Sequence, residues 1–261
     1  MKQVNTMPKL SPEQMKLLKD GERVDFLVRE NRYIIQNSKF FPFSVDAVLL
    51  ASFATFNQRS QLKIMDFCTG GGIIPLLLSH RTKVKIQAIE IQAEIADMAK
   101  RSVQLNRLED QIEIIQGDLR QLKVTNQFLD VITCNPPYFT RNEAAELHSN
   151  PYHAIARHEI HLTLDQWVKK ASQLLKQKGK LFIVYRPNRL DDLMMSLLEH
   201  RFAIKRLCFV HPKKGENANS VLIEAIAQGG RQGVRVEPAI IVHQDDGSYT
   251  PLMQEIYYGN H

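Results

Sequence analysis

Between Lys63 and Tyr185 short apolar runs alternate with longer amphipathic ones, and that rhythm constrains the fold of this 261-residue chain most. Ile64–Phe67, Val84–Ile89, Ile112–Ile115 and Leu129–Cys134 are four to six residues long, a strand length, and apolar enough to be covered on both faces. Helical patterns start at Ile73, run from Ala93 to Asn106, and run from Leu164 to Lys176 with a stop at Lys178-Gly179. Leu181–Tyr185 then reads as a strand and Asp191–His200 as a helix. Strands and helices alternating at this spacing form βαβ units, so the fold class is α/β around a mostly parallel sheet. The last two runs, Ala203–Val210 and Ser220–Ala227, have only the loop His211–Asn219 between them and should close the sheet as an antiparallel pair.

The flanks read differently. Ser11-Pro12-Glu13 places an N-cap, an N1 proline and a first-turn acid ahead of a short helix ending near Asp20-Gly21. Val24–Val28 and Tyr33–Gln36 suit a β-hairpin, and Val45–Phe56 a mostly buried helix. Arg235–Tyr258, with Asp246-Gly247 between extended runs, suits an appended hairpin. The expected organisation is an N-terminal extension (1–40), a main domain (41–230) and a C-terminal extension (231–261) packed on that domain.

An apolar fraction of 44% and a charged fraction of 24% fit a globular chain with a sizeable core and exclude a disordered tail, a fibrous repeat and a disulfide miniprotein. Cys68, Cys134 and Cys208 lie far apart, which excludes a Cys-x-x-Cys metal or redox site and suits a reducing compartment. Met1–Thr6 lacks the apolar core of a secretory signal, and the longest aliphatic stretch, Ile73–Leu78, is broken by Pro75 and too short to cross a bilayer. The expectation is a cytoplasmic protein with no membrane partner, a monomer by default. The net charge of +6 permits a nucleic-acid partner without requiring one.

Chemistry concentrates at the C-terminal ends of the strands. Asp66-Phe67-Cys68-Thr69-Gly70-Gly71-Gly72 follows a strand and opens a helix, so a ligand can lie against main-chain N–H groups there. Glu90, 20 residues after Gly70, ends the next strand, where a carboxylate can accept both hydroxyls of a ribose. A nicotinamide-binding domain uses nearly the same parts, but Pro75 occupies the position of the last glycine in its fingerprint. Asp118 follows the third strand as another acid on the same edge. Asn135-Pro136-Pro137-Tyr138 directly follows the fourth. Its two prolines hold the backbone rigid, so that the Asn135 side-chain oxygen and the Pro136 carbonyl can accept the two hydrogens of a planar amine. Such an amine is a poor nucleophile, and accepting its hydrogens as charge develops favours attack without a strong base. Tyr138, with Phe139 beside it, offers a face on which a planar substrate stacks.

Asp66–Gly72, Glu90, Asp118 and Asn135-Pro136-Pro137-Tyr138 together resemble the ordered motifs of class I S-adenosylmethionine-dependent amino-methyltransferases, over roughly residues 40–230. The resemblance implies a Rossmann-like fold with a mostly parallel seven-stranded sheet and an antiparallel terminal strand, and S-adenosyl-L-methionine as the cofactor. It implies that Asp66, Cys68, Thr69, Gly70 and Gly72 hold the cofactor's methionine part, that Glu90 holds its ribose and that Asp118 approaches its adenine. Asn135, Pro136, Pro137 and Tyr138 become the catalytic loop, with Asn135 also beside the cofactor. Cys68 departs from the pattern, since many members carry glycine there.

Three further segments, Phe43–Leu50, Asn150–Glu159 and His211–Asn219, are similar to the bacterial tRNA adenine-N6-methyltransferases that modify the adenine 3′ of the anticodon of a valine tRNA, in the Gram-positive branch. That resemblance implies an anticodon stem-loop as partner and no metal. Arg157 and His158 would grip RNA, although His153, His158, Glu159 and His161 also invite a metal reading and surface ion pairs a bland one. Lys213 and Lys214, with Arg231 and Arg235, could meet phosphates or simply face solvent. Asp46 could approach the cofactor's amino-acid end or serve as a helix N-terminal acid. Guanine-N2 methylation of ribosomal RNA, methylation of a protein glutamine amide and a catalytically inactive RNA-binding module are the competing functions.

Overall fold

The computed structural model describes residues 8–57, 61–123, 127–136 and 162–259. Its centre is a sheet built from β3 (Ile64–Phe67), β4 (Ile86–Glu90), β5 (Ile112–Gln116), β6 (Leu129–Cys134), β7 (Leu175–Tyr185), β8 (Phe202–His211) and β9 (Ser220–Ala227). Their order across the sheet is β8-β9-β7-β6-β3-β4-β5. All neighbours are parallel except β9, which lies antiparallel between β7 and β8. The antiparallel strand is thus the last of the series in sequence but one place in from the edge. Two-residue strands β10 (Arg235–Val236) and β11 (Ile240–Ile241) add to the outer side of β8 in parallel.

Period-two alternation decides which way each strand residue faces. In β3, Ile64 joins one core cluster while Met65 and Phe67 join the other. The first cluster is covered by α2 (Val45–Phe53), α3 (Ile73–Arg81) and α4 (Ala93–Leu105), the second by α5 (Leu164–Leu174) and α6 (Leu190–Glu199). Helix α5 shows why the sequence folds this way. Thr163 and Gln166 form a reciprocal capping box, and Leu164, Trp167, Val168, Ala171 and Leu174 fall on one buried face at helical spacing. Because β3 pairs with β4 on one side and β6 on the other, the chain reverses direction across the sheet at β3. A crevice opens at the C-terminal ends of the strands at such a switch point.

The N-terminal hairpin, β1 (Glu22–Leu27) and β2 (Arg32–Asn37), stands apart from the main sheet and packs on α4. Its open edge is satisfied by that helix: Ser102 Oγ accepts from the Ile35 N–H, and Asn106 both accepts from the Tyr33 N–H and donates to its carbonyl. Arg101 adds a two-toothed ion pair with Glu22, whose side chain is only 4% exposed, at 2.6 Å on each arm.

The elements differ from expectation at four places. The first helix, α1, is only Pro12–Met15, although its capping box at Ser11 and Gln14 is complete. Helix α2 stops at Phe53, before the expected Phe56. Helix α5 ends at Leu174, and β7 starts at once; Lys178, at a φ of 64°, and Gly179 sit inside that strand, where its register against β6 shifts, instead of ending a helix. The C-terminal segment does carry a tight turn at Asp246-Gly247, closed by a bridge between His243 and Tyr249, but it finishes as helix α7 (Pro251–Tyr258) instead of an extended run. Thr250 caps that helix, and its Met253 and Ile256 complete the first core cluster.

Candidate active site

A cavity of about 330 Å³ opens at the switch point. Its floor is the loop after β3. Cys68 and Gly70 both take φ of 55° and Gly72 takes 84°, so the chain turns sharply into α3. A Cβ on Gly72 would stand 3.3 Å from the Ala99 methyl, whereas one on Gly70 would meet nothing within 4 Å. The first glycine therefore lets α3 approach α4, and the second leaves room above the loop.

Glu90 ties this loop to the end of β4. One carboxylate oxygen accepts from the Gly70 N–H and the other from the Gln92 N–H, each at 2.9 Å. Burial raises its pKa against those two bonds. Glu90 lines the cavity, so a diol lying there meets an acceptor fixed by main chain. Asp118 also lines the cavity, but its carboxylate accepts from the backbone N–H and the guanidinium of Arg120. Asp46, at the start of α2, accepts from the Ser220 hydroxyl at 2.7 Å and lies 3.6 Å from Arg186.

Cys68, Thr69, Gly70, Glu90, Asp118, Asp46, Asn135 and Pro136 thus all line one cavity. Asp66 and Gly72 do not. Asp66 is wholly buried beneath the loop, accepting from the Thr133 hydroxyl at 2.6 Å, and burial pushes its pKa up to about 7. Lys213 and Lys214 lie outside the cavity on the loop between β8 and β9, where Lys213 donates to the Asp245 carbonyl. Arg235 pairs with Glu237. Pro137, Tyr138, Phe139, Arg157 and His158 fall outside the described residues, as does the rest of the segment read as an RNA grip.

Three buried polar atoms on cavity-lining residues lack a partner among the described residues: Asn135 Oδ1, Gln92 Oε1 and Thr69 Oγ1. A buried acceptor without a donor costs about 1–3 kcal/mol, and a bound donor recovers it. The cavity therefore suits a ligand with a hydroxyl-bearing ring over Glu90 and a donor group at Asn135. Sequence reasoning missed one whole wall: Ile34, Ile35, Gln36 and Asn37 of β2, followed by Phe41 and Phe43. It also missed Arg186, which donates to the Asn219 carbonyl at 2.8 Å. Nothing marks a lone arginine after a strand, whereas the wall adjoins the segment beginning at Phe43.

Among the described residues no group of three or more His, Cys, Asp or Glu is placed to hold a metal ion, and no helix is long and apolar enough to cross a membrane.

Residues 44–206 match the family model of the methyltransferase small domain. A tRNA1(Val) (adenine(37)-N6)-methyltransferase from Porphyromonas gingivalis is 29% identical over 215 residues, covering 79% of this chain and 83% of the relative. Among solved structures, a predicted O-methyltransferase from Agrobacterium tumefaciens superposes with a TM-score of 0.63 at 22% identity, over 82% of this chain and 96% of that one. A geranyl diphosphate C-methyltransferase from Streptomyces coelicolor A3(2), solved with S-adenosyl-L-homocysteine, superposes with a TM-score of 0.52 at 11% identity over 69% of this chain and 76% of its own. These two likenesses carry the fold: a class I methyltransferase sheet with its antiparallel strand.

Proposed function

The chain belongs to the methyltransferase small domain family, and from that premise we propose that it transfers a methyl group from S-adenosyl-L-methionine to the exocyclic N6 amine of an adenine in tRNA. The adenine is the one at position 37, in the anticodon loop of a valine tRNA. The curated relative's name supports the substrate, and one observation carries the chemistry: the buried Oδ1 of Asn135, just after β6, which has no partner among the described residues.

The cofactor, when bound, supplies an electrophilic methyl on a sulfonium centre. The chain's residues do the rest by placement. Glu90, already oriented by two backbone N–H groups, takes the ribose hydroxyls. Cys68, Thr69 and Gly70 border the methionine part. Asp46 faces the cofactor's ammonium, and Asp118, neutralised by Arg120, borders the adenine. Asp66 and Gly72 support the loop from below.

The target amine is aromatic and its lone pair is delocalised into the ring. Asn135 Oδ1 accepts one of its hydrogens, and the Pro136 carbonyl the other. As nitrogen bonds to the methyl carbon and the carbon–sulfur bond breaks to leave a neutral thioether, positive charge grows on those hydrogens, so both bonds strengthen in the transition state and lower the barrier; one of the two protons then leaves to water. The base must leave its stack to reach them, and Tyr138 would provide a replacement stacking face. Arg157, His158, Lys213 and Lys214 are proposed to meet the RNA backbone.

Asn135→Ala tests this assignment. Turnover on tRNA should fall about 100-fold or more, the scale of a lost transition-state hydrogen bond, while the calorimetric Kd for S-adenosylmethionine stays within about threefold. An equal loss of both would remove Asn135 from the role given to it.

A further inference from the structure

The C-terminal segment carries a stack of rings that the reaction does not use. His243 lies over Tyr249 with ring centres 5.2 Å apart and planes 13° from parallel. Tyr249 lies over Tyr257 at 5.0 Å and 11°. Three near-parallel rings joined this way form a short ladder between the turn at Asp246-Gly247 and helix α7. Tyr249 and Tyr257 pack against the first core cluster, whereas His243, at the far end of the stack, is partly buried and not part of it.

Each end of the ladder lies somewhere informative. Tyr257 sits near the cavity-lining Asp46; burial first, then Tyr249 and the Asp46 charge, keeps its phenol protonated. His243 sits at the other end, against the loop between β8 and β9, where its N–H donates to the Pro212 carbonyl. Its Nδ1 lies 3.1 Å from the Gly247 carbonyl, which fixes the ring and leaves Nε2 outward. No second ring stacks on His243 among the described residues.

That loop is basic. Lys213 is held by the Asp245 carbonyl and lies near Asp246, while the exposed Lys214 makes no hydrogen bond or ion pair with a described residue. The ladder therefore ends on the His243 ring, beside the loop that carries the exposed cation Lys214.

We propose that this ladder is a stacking site for a nucleobase of the RNA lying outside the reaction cavity, the base resting on His243 and Lys214 meeting its phosphate. A single-stranded loop suits such a site, because its bases are free to splay and every base has a π-face. The proposal rests on the reading that the substrate is RNA.

The test compares wild type with His243→Ala, His243→Phe and Lys214→Gln, measuring anisotropy of a labelled anticodon stem-loop oligonucleotide and, separately, cofactor Kd by calorimetry. His243→Ala should weaken RNA binding about tenfold, His243→Phe should restore most of it, and cofactor affinity should stay put. Lys214→Gln should lower the slope of log Kd against log salt by about one. RNA affinity unchanged in His243→Ala, or lost equally in His243→Phe, would overturn the stacking site while leaving the methylation reading intact. Failure of the wild type to bind any RNA would instead overturn that reading, and the stacking site with it.

Discussion

Asp66, near the end of β3, and Asn135, just after β6, lie on neighbouring parallel strands two positions apart in register, and serve opposite ends of the chemistry. Asn135 leaves a buried acceptor on the cavity side, while Asp66 is sealed beneath the glycine loop. The sealed carboxyl makes its own prediction. Its pKa rises from 3.8 to about 7 because burial penalises the charged form more than the Thr133 hydroxyl helps it. Below the unfolded value both states hold the proton and nothing is lost; between the unfolded and the folded value the unfolded chain releases a proton that the native state keeps, so stability falls across that window and levels off above it. Asp66→Asn keeps an acceptor for Thr133 and removes the titration. Its stability relative to wild type should rise by a few kcal/mol, order of magnitude, between pH 5 and pH 8 in denaturant melts. Parallel pH profiles for the two proteins would contradict this account of Asp66. The sequence already marked both residues by their place after short apolar runs. It could not say which carboxylate lines the cavity, because that depends on which face of β3 the loop covers.

Among the elements, the hairpin explains most of what sequence reasoning overlooked. As local sequence, Glu22–Leu27 and Arg32–Asn37 are an ordinary pair of strands. Their function as a cavity wall comes from docking on α4, through contacts 67 to 79 residues apart in the chain: Ile35 with Ser102, Tyr33 with Asn106 and Glu22 with Arg101. No periodicity reports such pairs. Arg101→Ala strips a buried carboxylate of its partner and should destabilise the protein by about 3 kcal/mol. It should also weaken S-adenosylmethionine binding, because Ile34–Asn37 lose their support. A loss of stability with unchanged cofactor affinity would show that the hairpin is not a working wall. Helix α7 was missed for a different reason. Thr250-Pro251 is the same cap-and-proline signal that marked Ser11-Pro12, but the Asp246-Gly247 turn just ahead drew the reading toward strands. Lys178-Gly179, a plausible helix stop, instead serves a strand irregularity, since a Cβ on Gly179 would stand 2.9 Å from the Lys176 carbonyl.

At the scale of the molecule, the alternation of strands and helices was legible because buried parallel strands must be apolar throughout and their crossover helices must be amphipathic. Strand order was not legible in the sequence; it is seen in the sheet, where β9 slips between β7 and β8. The result is one edge on which the glycine loop, Glu90, Asp118 and Asn135 converge, with the hairpin and the start of α2 enclosing them. A net charge of +6 and the exposed Lys214 of the β8–β9 loop suit a polyanionic partner but do not choose among RNAs. That choice is the central claim, and methyl transfer from labelled S-adenosylmethionine tests it most directly. Unmodified total tRNA, ribosomal RNA and a release-factor protein are offered in parallel, and the modified product is identified by mass spectrometry. The account predicts N6-methyladenosine in tRNA alone, at the anticodon-loop adenine of a valine tRNA; label confined to guanosine in ribosomal RNA, or to glutamine in the protein, would contradict it.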